Sequence, residues 1–181
     1  VIQVIILNGG SSSGKTTIAT ALQDILPSPW LRLSIDTLVD AMPPRLLTSE
    51  TGIAFGADGS VRPGQEFRRL ESAWMQGIAA MAHAGARVIF DDVFLSGVDA
   101  RNRWQAALAG VLVLWVGVRC DPAVAAERER GRGDRVTGMA VLQAQTVHAG
   151  IEYDIEVDTT KTSAMECAQR IAQLVDDRSV G

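Results

Sequence analysis

Five short apolar runs recur along the chain: Val1–Leu7, Trp30–Ile35, Arg87–Asp91, Val111–Val118 and Tyr153–Val157. They are rich in β-branched residues and nearly continuous in apolar character, the pattern of strands covered on both faces. Between them, apolar residues recur every three or four positions. Ile18, Leu22, Ile25 and Leu26 mark a helix over Lys15–Leu26, which Pro27 and Pro29 stop. Phe67, Leu70, Trp74, Ile78 and Met81 mark a longer helix over Gln65–Ala84. Gly77 inside it predicts a close approach there, because glycine costs a helix about 1 kcal/mol against alanine. Further helices are expected over Thr37–Met42, Asp99–Leu108 and Thr137–His148, from Asp121-Pro122 onward, and after the capping box Ser163-Ala164-Met165-Glu166. Ile53–Phe55 and Val61, around Ala57-Asp58-Gly59, read as a small hairpin. Strands alternating with helices, without repeats or linkers, predict one three-layer α/β domain over 1–181 with a five-stranded, largely parallel sheet.

Composition narrows the function. In 181 residues, 47% are hydrophobic and 21% charged, an ordinary globular balance. Lys+Arg number 17 against 21 Asp+Glu, a net charge of −4 that disfavours general binding to nucleic acid or anionic membrane. The two cysteines, Cys120 and Cys167, form neither a disulfide framework nor a CxxC zinc pair, and read as small hydrophobes in a reducing, cytoplasmic setting. The opening apolar run has neither the basic flank nor the cleavage site of a secretory signal.

The chemistry is announced by Gly9-Gly10-Ser11-Ser12-Ser13-Gly14-Lys15-Thr16, which matches G-x-x-x-x-G-K-[ST] between a strand and a helix. Its glycines let successive backbone N–H groups turn inward on phosphate oxygens, and the following helix start favours negative charge. Lys15 is expected at the β- and γ-phosphates of ATP and the Thr16 hydroxyl on Mg²⁺, with Thr17 completing the nucleotide-binding run. The chain has only two lysines, Lys15 and Lys161, which makes an accidental match harder to sustain. Neither stands in an N/T-K-x-D guanine motif, so a GTPase switch is disfavoured.

Three further features suggest a kinase. Arg128, Arg130, Arg132 and Arg135 fall within eight residues and around glycines, the composition of an arginine-rich lid over 128–136 that neutralises a transferring phosphoryl group; a solvated helix face is the plainer alternative. Asp36 follows the second strand at the sheet's carboxyl end, where it serves as general base, positions Mg²⁺ through water, or caps the next helix. Of Asp91-Asp92 only one can face the site, since neighbouring strand residues point oppositely, and Asp92 is the favoured Mg²⁺ carboxylate. Residues 43–63 are the least regular stretch, and a long loop in a compact domain is more often functional than idle; 43–65 is the expected substrate-side segment. His83, His148, Trp74, Trp104 and Trp115 read as structural.

The string Ile6–Lys15 is similar to chloramphenicol phosphotransferase. So are Pro29-Trp30-Leu31, Asp36, Asp40–Pro43, Asp91–Phe94, Trp115–Asp121, Arg132–Val136, Glu152-Tyr153-Asp154 and Asp158-Thr159-Thr160, in one register over nearly the whole chain. The resemblance implies a nucleoside-monophosphate-kinase-like fold and ATP-dependent phosphorylation of the primary hydroxyl of chloramphenicol. Asp36 then falls on the family's catalytic base, and Arg132 and Arg135 on its lid arginines. A small-molecule hydroxyl acceptor is the expected partner; oligomerisation stays open. Two alternatives stand: a kinase for another small hydroxyl compound on this scaffold, and a nucleotide-binding regulatory protein without an acceptor.

Overall fold

A computed structural model describes residues 1–56, 58–132 and 138–177, with Arg132, Gln145, Asp176 and Asp177 described in backbone alone. The strands are β1 (Val4–Asn8), β2 (Leu31–Ser34), β3 (Ile53–Phe55), β4 (Val61–Pro63), β5 (Val88–Asp92), β6 (Val113–Arg119) and β7 (Ile155–Asp158). The helices are α1 (Lys15–Ile25), α2 (Ile35–Ala41), α3 (Gln65–His83), α4 (Val98–Ala107), α5 (Pro122–Arg132), α6 (Met139–Thr146) and α7 (Ala164–Asp177). Five strands make one parallel sheet in the order β2-β5-β1-β6-β7. The remaining two, β3 and β4, form the separate antiparallel hairpin that the sequence pattern anticipates.

Strand β1 is buried along its whole length because both its edges and both its faces are occupied. Its alternation splits the core. Ile5 and Leu7 pack with Ile18, Leu22 and Ile171 under α1 and α7, whereas Val4 and Ile6 pack with Ile78, Phe90 and Trp104 under α3 and α4. The chain winds from β1 toward β2 on one side and later to β6 and β7 on the other. A crevice therefore opens beyond the carboxyl end of β1, the ligand position of open α/β sheets. A third apolar cluster, with Leu38, Met42, Ile53 and Phe67, supports the hairpin beside that crevice.

Local chemistry sets the starts of α2 and α7. Glu166 N–H donates to Ser163 Oγ, while Ser163 N–H and Oγ–H donate to the Glu166 carboxylate, closing the anticipated capping box. At α2 the cap is Ser34, whose Oγ accepts from Thr37 N–H. The helix thus begins earlier than its apolar pattern indicated, and Asp36 lies in its first turn rather than capping it. Helix α6 is shorter than expected. Among the described residues no helix is long and apolar enough to cross a membrane.

One expectation fails: a Cβ on Gly77 would meet nothing within 4 Å. No close approach explains this glycine, so it only loosens α3. Gly77→Ala is expected to stabilise the protein by about 0.4–1 kcal/mol, raising Tm by about 1–4 °C. Thermal unfolding checks this, and an unchanged or lowered Tm would contradict it.

Candidate active site

The loop between β1 and α1 is shaped by lack of room. A Cβ on Gly9 would lie 2.6 Å from Val118 O, and one on Gly10 would lie 3.0 Å from Ala144 N. Ser12 and Gly14 take positive φ, 59° and 92°, which turns the backbone so that Gly14 leads into α1. Lys15 is buried, and its Nζ donates to Gly9 O at 2.8 Å and Gly10 O at 2.9 Å. The Ser12 and Ser13 hydroxyls are buried without partners among the described residues. Buried unpaired hydroxyls, a curled backbone and a buried ammonium together form a cradle for anionic oxygens, and they fit a nucleotide's phosphates.

Beside the cradle, Thr16 Oγ1 donates to Asp91 Oδ2 at 3.2 Å. Burial raises the Asp91 carboxyl above its ordinary range against the pull of Lys15, and the nearby Asp36 charge adds to the rise. This pair of oxygen ligands suits Mg²⁺. Asp92, the carboxylate favoured from sequence, is turned away. Its Oδ2 accepts from the Trp104 indole N–H at 2.6 Å and its Oδ1 from Val93 N–H at 2.7 Å, within the α3/α4 layer. The alternation of β5 decides the matter. Ile89 and Asp91 share the α1 face, Phe90 and Asp92 the other.

A cavity of about 750 Å³ runs from the phosphate cradle to the hairpin. Lys15, Thr16, Asp91 and Asp36 line one part, and Ile35, Val39, Ile53, Phe55, Val61 and Phe67 wall the other. Segment 43–65 thereby contributes its hairpin to the cavity. Gly59 at the hairpin turn comes so close to α6 that a Cβ there would lie 2.5 Å from Met139 N. Thr17 also lines the cavity. Arg135 and the side chain of Arg132 lie outside the described residues. Arg128 is described: it donates to Thr159 O at 2.8 Å, and Thr159 Oγ1–H donates to Ser13 O at 2.7 Å, so this arginine braces the loop. Cys120, expected to be buried, is partly exposed, and Arg128 Nη1 reaches its Sγ at 3.4 Å.

Sequence reasoning missed Gln143, whose Oε1 accepts from Ser11 N–H at 2.7 Å with both residues buried. It also missed a buried network behind the loop. Asn8 Nδ2 donates to Val147 O and Tyr153 Oη, Asn8 Oδ1 accepts from Phe94 N–H, and Tyr153 Oη lies 2.8 Å from His148 Nδ1. These residues are far apart in sequence and share no local motif, so only the placement of Asn8 directly before Gly9 hinted at a role.

Residues 2–176 match the family model of chloramphenicol phosphotransferase-like proteins. The chain belongs to the chloramphenicol phosphotransferase-like family. It is a kinase enzyme of the P-loop type. Its sequence is 35% identical over 184 residues, 93% of this chain and 80% of the relative, to "Putative O-phosphotransferase Rv2636" of Mycobacterium tuberculosis. Among solved structures, a sugar kinase from Janibacter sp. matches with TM-score 0.70 and 19% identity, over 97% of this chain and 95% of the other. The Mycobacterium tuberculosis APS kinase CysC, solved with AMPPNP and APS, matches with TM-score 0.60 and 14% identity over 97% and 98%. Those two likenesses concern the fold.

The buried groups around the family's P-loop carry opposite pH signatures. Burial pushes the Asp92 carboxyl up to about 6, and burial above all lowers the His148 imidazole to about 4. The His148 share of stability is complete above its ordinary 6.5 and is lost as pH falls toward 4. The Asp92 share is complete below its ordinary 3.8 and is lost as pH rises through 6. The stability gap between wild type and His148→Gln is therefore expected to be largest above pH 6.5 and to shrink toward pH 4. Asp92→Asn should instead gain on wild type as pH rises across that window. Urea unfolding at a series of pH values measures both, and pH-independent gaps would contradict the assignment.

Proposed function

We propose that the protein transfers the γ-phosphoryl group of ATP to the primary hydroxyl of chloramphenicol or a close analogue, inactivating the antibiotic. The observation that carries this reading is the character of the cavity: a carboxylate stands beside the phosphate cradle, and an apolar wall faces it. Among the described residues that line the cavity, only Lys15 and Arg128 are basic, and both contact the P-loop or its bracing threonine. The described lining residues offer an anionic acceptor no counter-charge at the hairpin end. A polyhydroxylated one would leave hydroxyls unpaired against Ile53, Phe55 and Phe67, at a cost of about 1–3 kcal/mol each. A neutral, largely apolar alcohol avoids both.

In this reading Asp36 accepts the acceptor's hydroxyl proton as the oxygen bonds to the γ-phosphorus. The bond from that phosphorus to the β,γ-bridging oxygen breaks, and ADP leaves with the electron pair. Lys15 and the P-loop N–H groups hold the phosphates. Thr16 and Asp91 would hold Mg²⁺, which supplies positive charge against the charge that builds on the phosphates. The assignment of Arg132 and Arg135 to the transferring phosphoryl group rests on the family resemblance.

Incubation with MgATP and a panel of hydroxyl compounds including chloramphenicol, read by mass, tests the acceptor. A mass gain of one phosphoryl group on chloramphenicol is expected; phosphorylation only of other compounds moves the assignment to a different small hydroxyl metabolite. Asp36→Asn should lower transfer by roughly 10²–10⁴-fold while ATP binding changes little. Since Ser34 caps α2, loss of the Asp36 charge should leave the helix in place. Full activity in that variant would remove Asp36 from the mechanism.

A further inference from the structure

Helix α6 is fixed at three points: against the P-loop, against α5 and against the end of β1. A Cβ on Gly10 would lie 3.2 Å from Gln143 Cβ, so the helix abuts the loop directly. At its start, the buried Glu129 carboxylate accepts from Gly138 N–H at 3.0 Å and Ala140 N–H at 2.8 Å. Just past its end, Val147 O accepts from Asn8 Nδ2 at 2.8 Å. Gln143 is therefore fixed in depth and direction before any ligand arrives. Its Oε1 faces Ser11 N–H, because only the oxygen of a carboxamide can accept that bond. The amide is planar, so its NH₂ group must point about 120° away from that oxygen. Gln143 lines the cavity, and among the described residues its Nε2 has no partner.

The end of the loop that Gln143 touches is the end where Lys15 Nζ sits, bonded to Gly9 O and Gly10 O. That lysine serves the β- and γ-phosphates in loops of this type. We propose that Gln143 is a residue of the transfer step. Its Oε1 holds the Ser11 amide in the loop's working shape, and its Nε2–H₂ donates to an oxygen of the transferring phosphoryl group. A neutral donor fixed in advance stabilises charge as it shifts during transfer and needs no reorganisation at that moment. The proposal rests on the phosphoryl-transfer reading above, and its test separates the two.

Binding of MgADP and of Mg·AMPPNP is measured by calorimetry for wild type, Gln143→Met and Gln143→Glu, together with Tm and kcat on chloramphenicol. Methionine keeps the length of the side chain and removes both polar contacts. Glutamate keeps an oxygen for Ser11 N–H, removes the donor and adds negative charge. Both variants should weaken AMPPNP by roughly 10–100-fold, with ADP weakened by no more than about 3-fold, and glutamate should have the larger effect. The fall in kcat should reach about 10²–10³-fold. Gln143→Glu should keep Tm within about 2 °C of wild type; should it fail to fold, Gln143→Met carries the comparison alone. A wild-type ratio of AMPPNP to ADP affinity and unchanged kcat in Gln143→Met overturn the proposal, as does equal weakening of both nucleotides. If wild type binds neither nucleotide, the P-loop reading falls and this proposal with it. If wild type binds both but leaves chloramphenicol unmodified, only the acceptor reading falls, and the ratio still decides Gln143.

Discussion

The site depends on how little space surrounds Gly9 and Gly10. Strand β6 presses on the first through Val118 O, at a distance real Cβ atoms essentially never show, and helix α6 crowds the second through Ala144 N. Squeezed between two elements, the loop backbone curls tightly, with Ser12 and Gly14 at positive φ. The buried hydroxyls of Ser12 and Ser13 and the buried Lys15 ammonium lie along this curl. The two hydroxyls, without partners among the described residues, are costly to bury unless a partner is due, which makes the loop a prepared anion site rather than a stable resting turn.

Charge is distributed around that loop by the pleat of β5. Two successive aspartates, both buried, have opposite uses because they face opposite layers. Asp91 meets Thr16 and feels Lys15 and Asp36. Asp92 is tied to Trp104 and Val93, where it joins the β5–α4 corner to the core. The network of Asn8, Tyr153 and His148 does the corresponding work behind β1. It links the strand that launches the loop to the end of α6, and the strong burial of His148 keeps its ring neutral for that bond.

The hairpin end of the cavity packs on α2 and α3 and meets α6 in a tight backbone contact. The hairpin rests on its own apolar cluster with Leu38, Met42 and Phe67. Its turn touches the start of α6, where Gly59 lets two backbones meet. The same helix thus contacts the phosphate cradle through Gln143 and the hairpin turn through Met139.

Much of this was legible in the linear pattern. Continuous β-branched runs separated by periodic helices specify a parallel sheet, because burial on both faces leaves no other reading. The motif from Gly9 to Thr16 carries its chemistry in local spacing, and the Ser163–Glu166 box closes within four residues. What the sequence could not settle were matters of relative direction. Asp92 rather than Asp91 looked like the metal-side carboxylate because a pleat's phase is set by the neighbours it packs on, and Trp104 belongs to a later helix. Gly77 looked like a contact point, yet the helix turns it to open space. Gln143 stands 132 residues from Ser11, and no local rule connects a glutamine on one helix to an amide in a distant loop. The sequence by itself determined the elements and the phosphate loop, since both depend on interactions within a few residues. Tertiary structure alone decided which side chains share the cavity, because that depends on how elements far apart in the chain are packed.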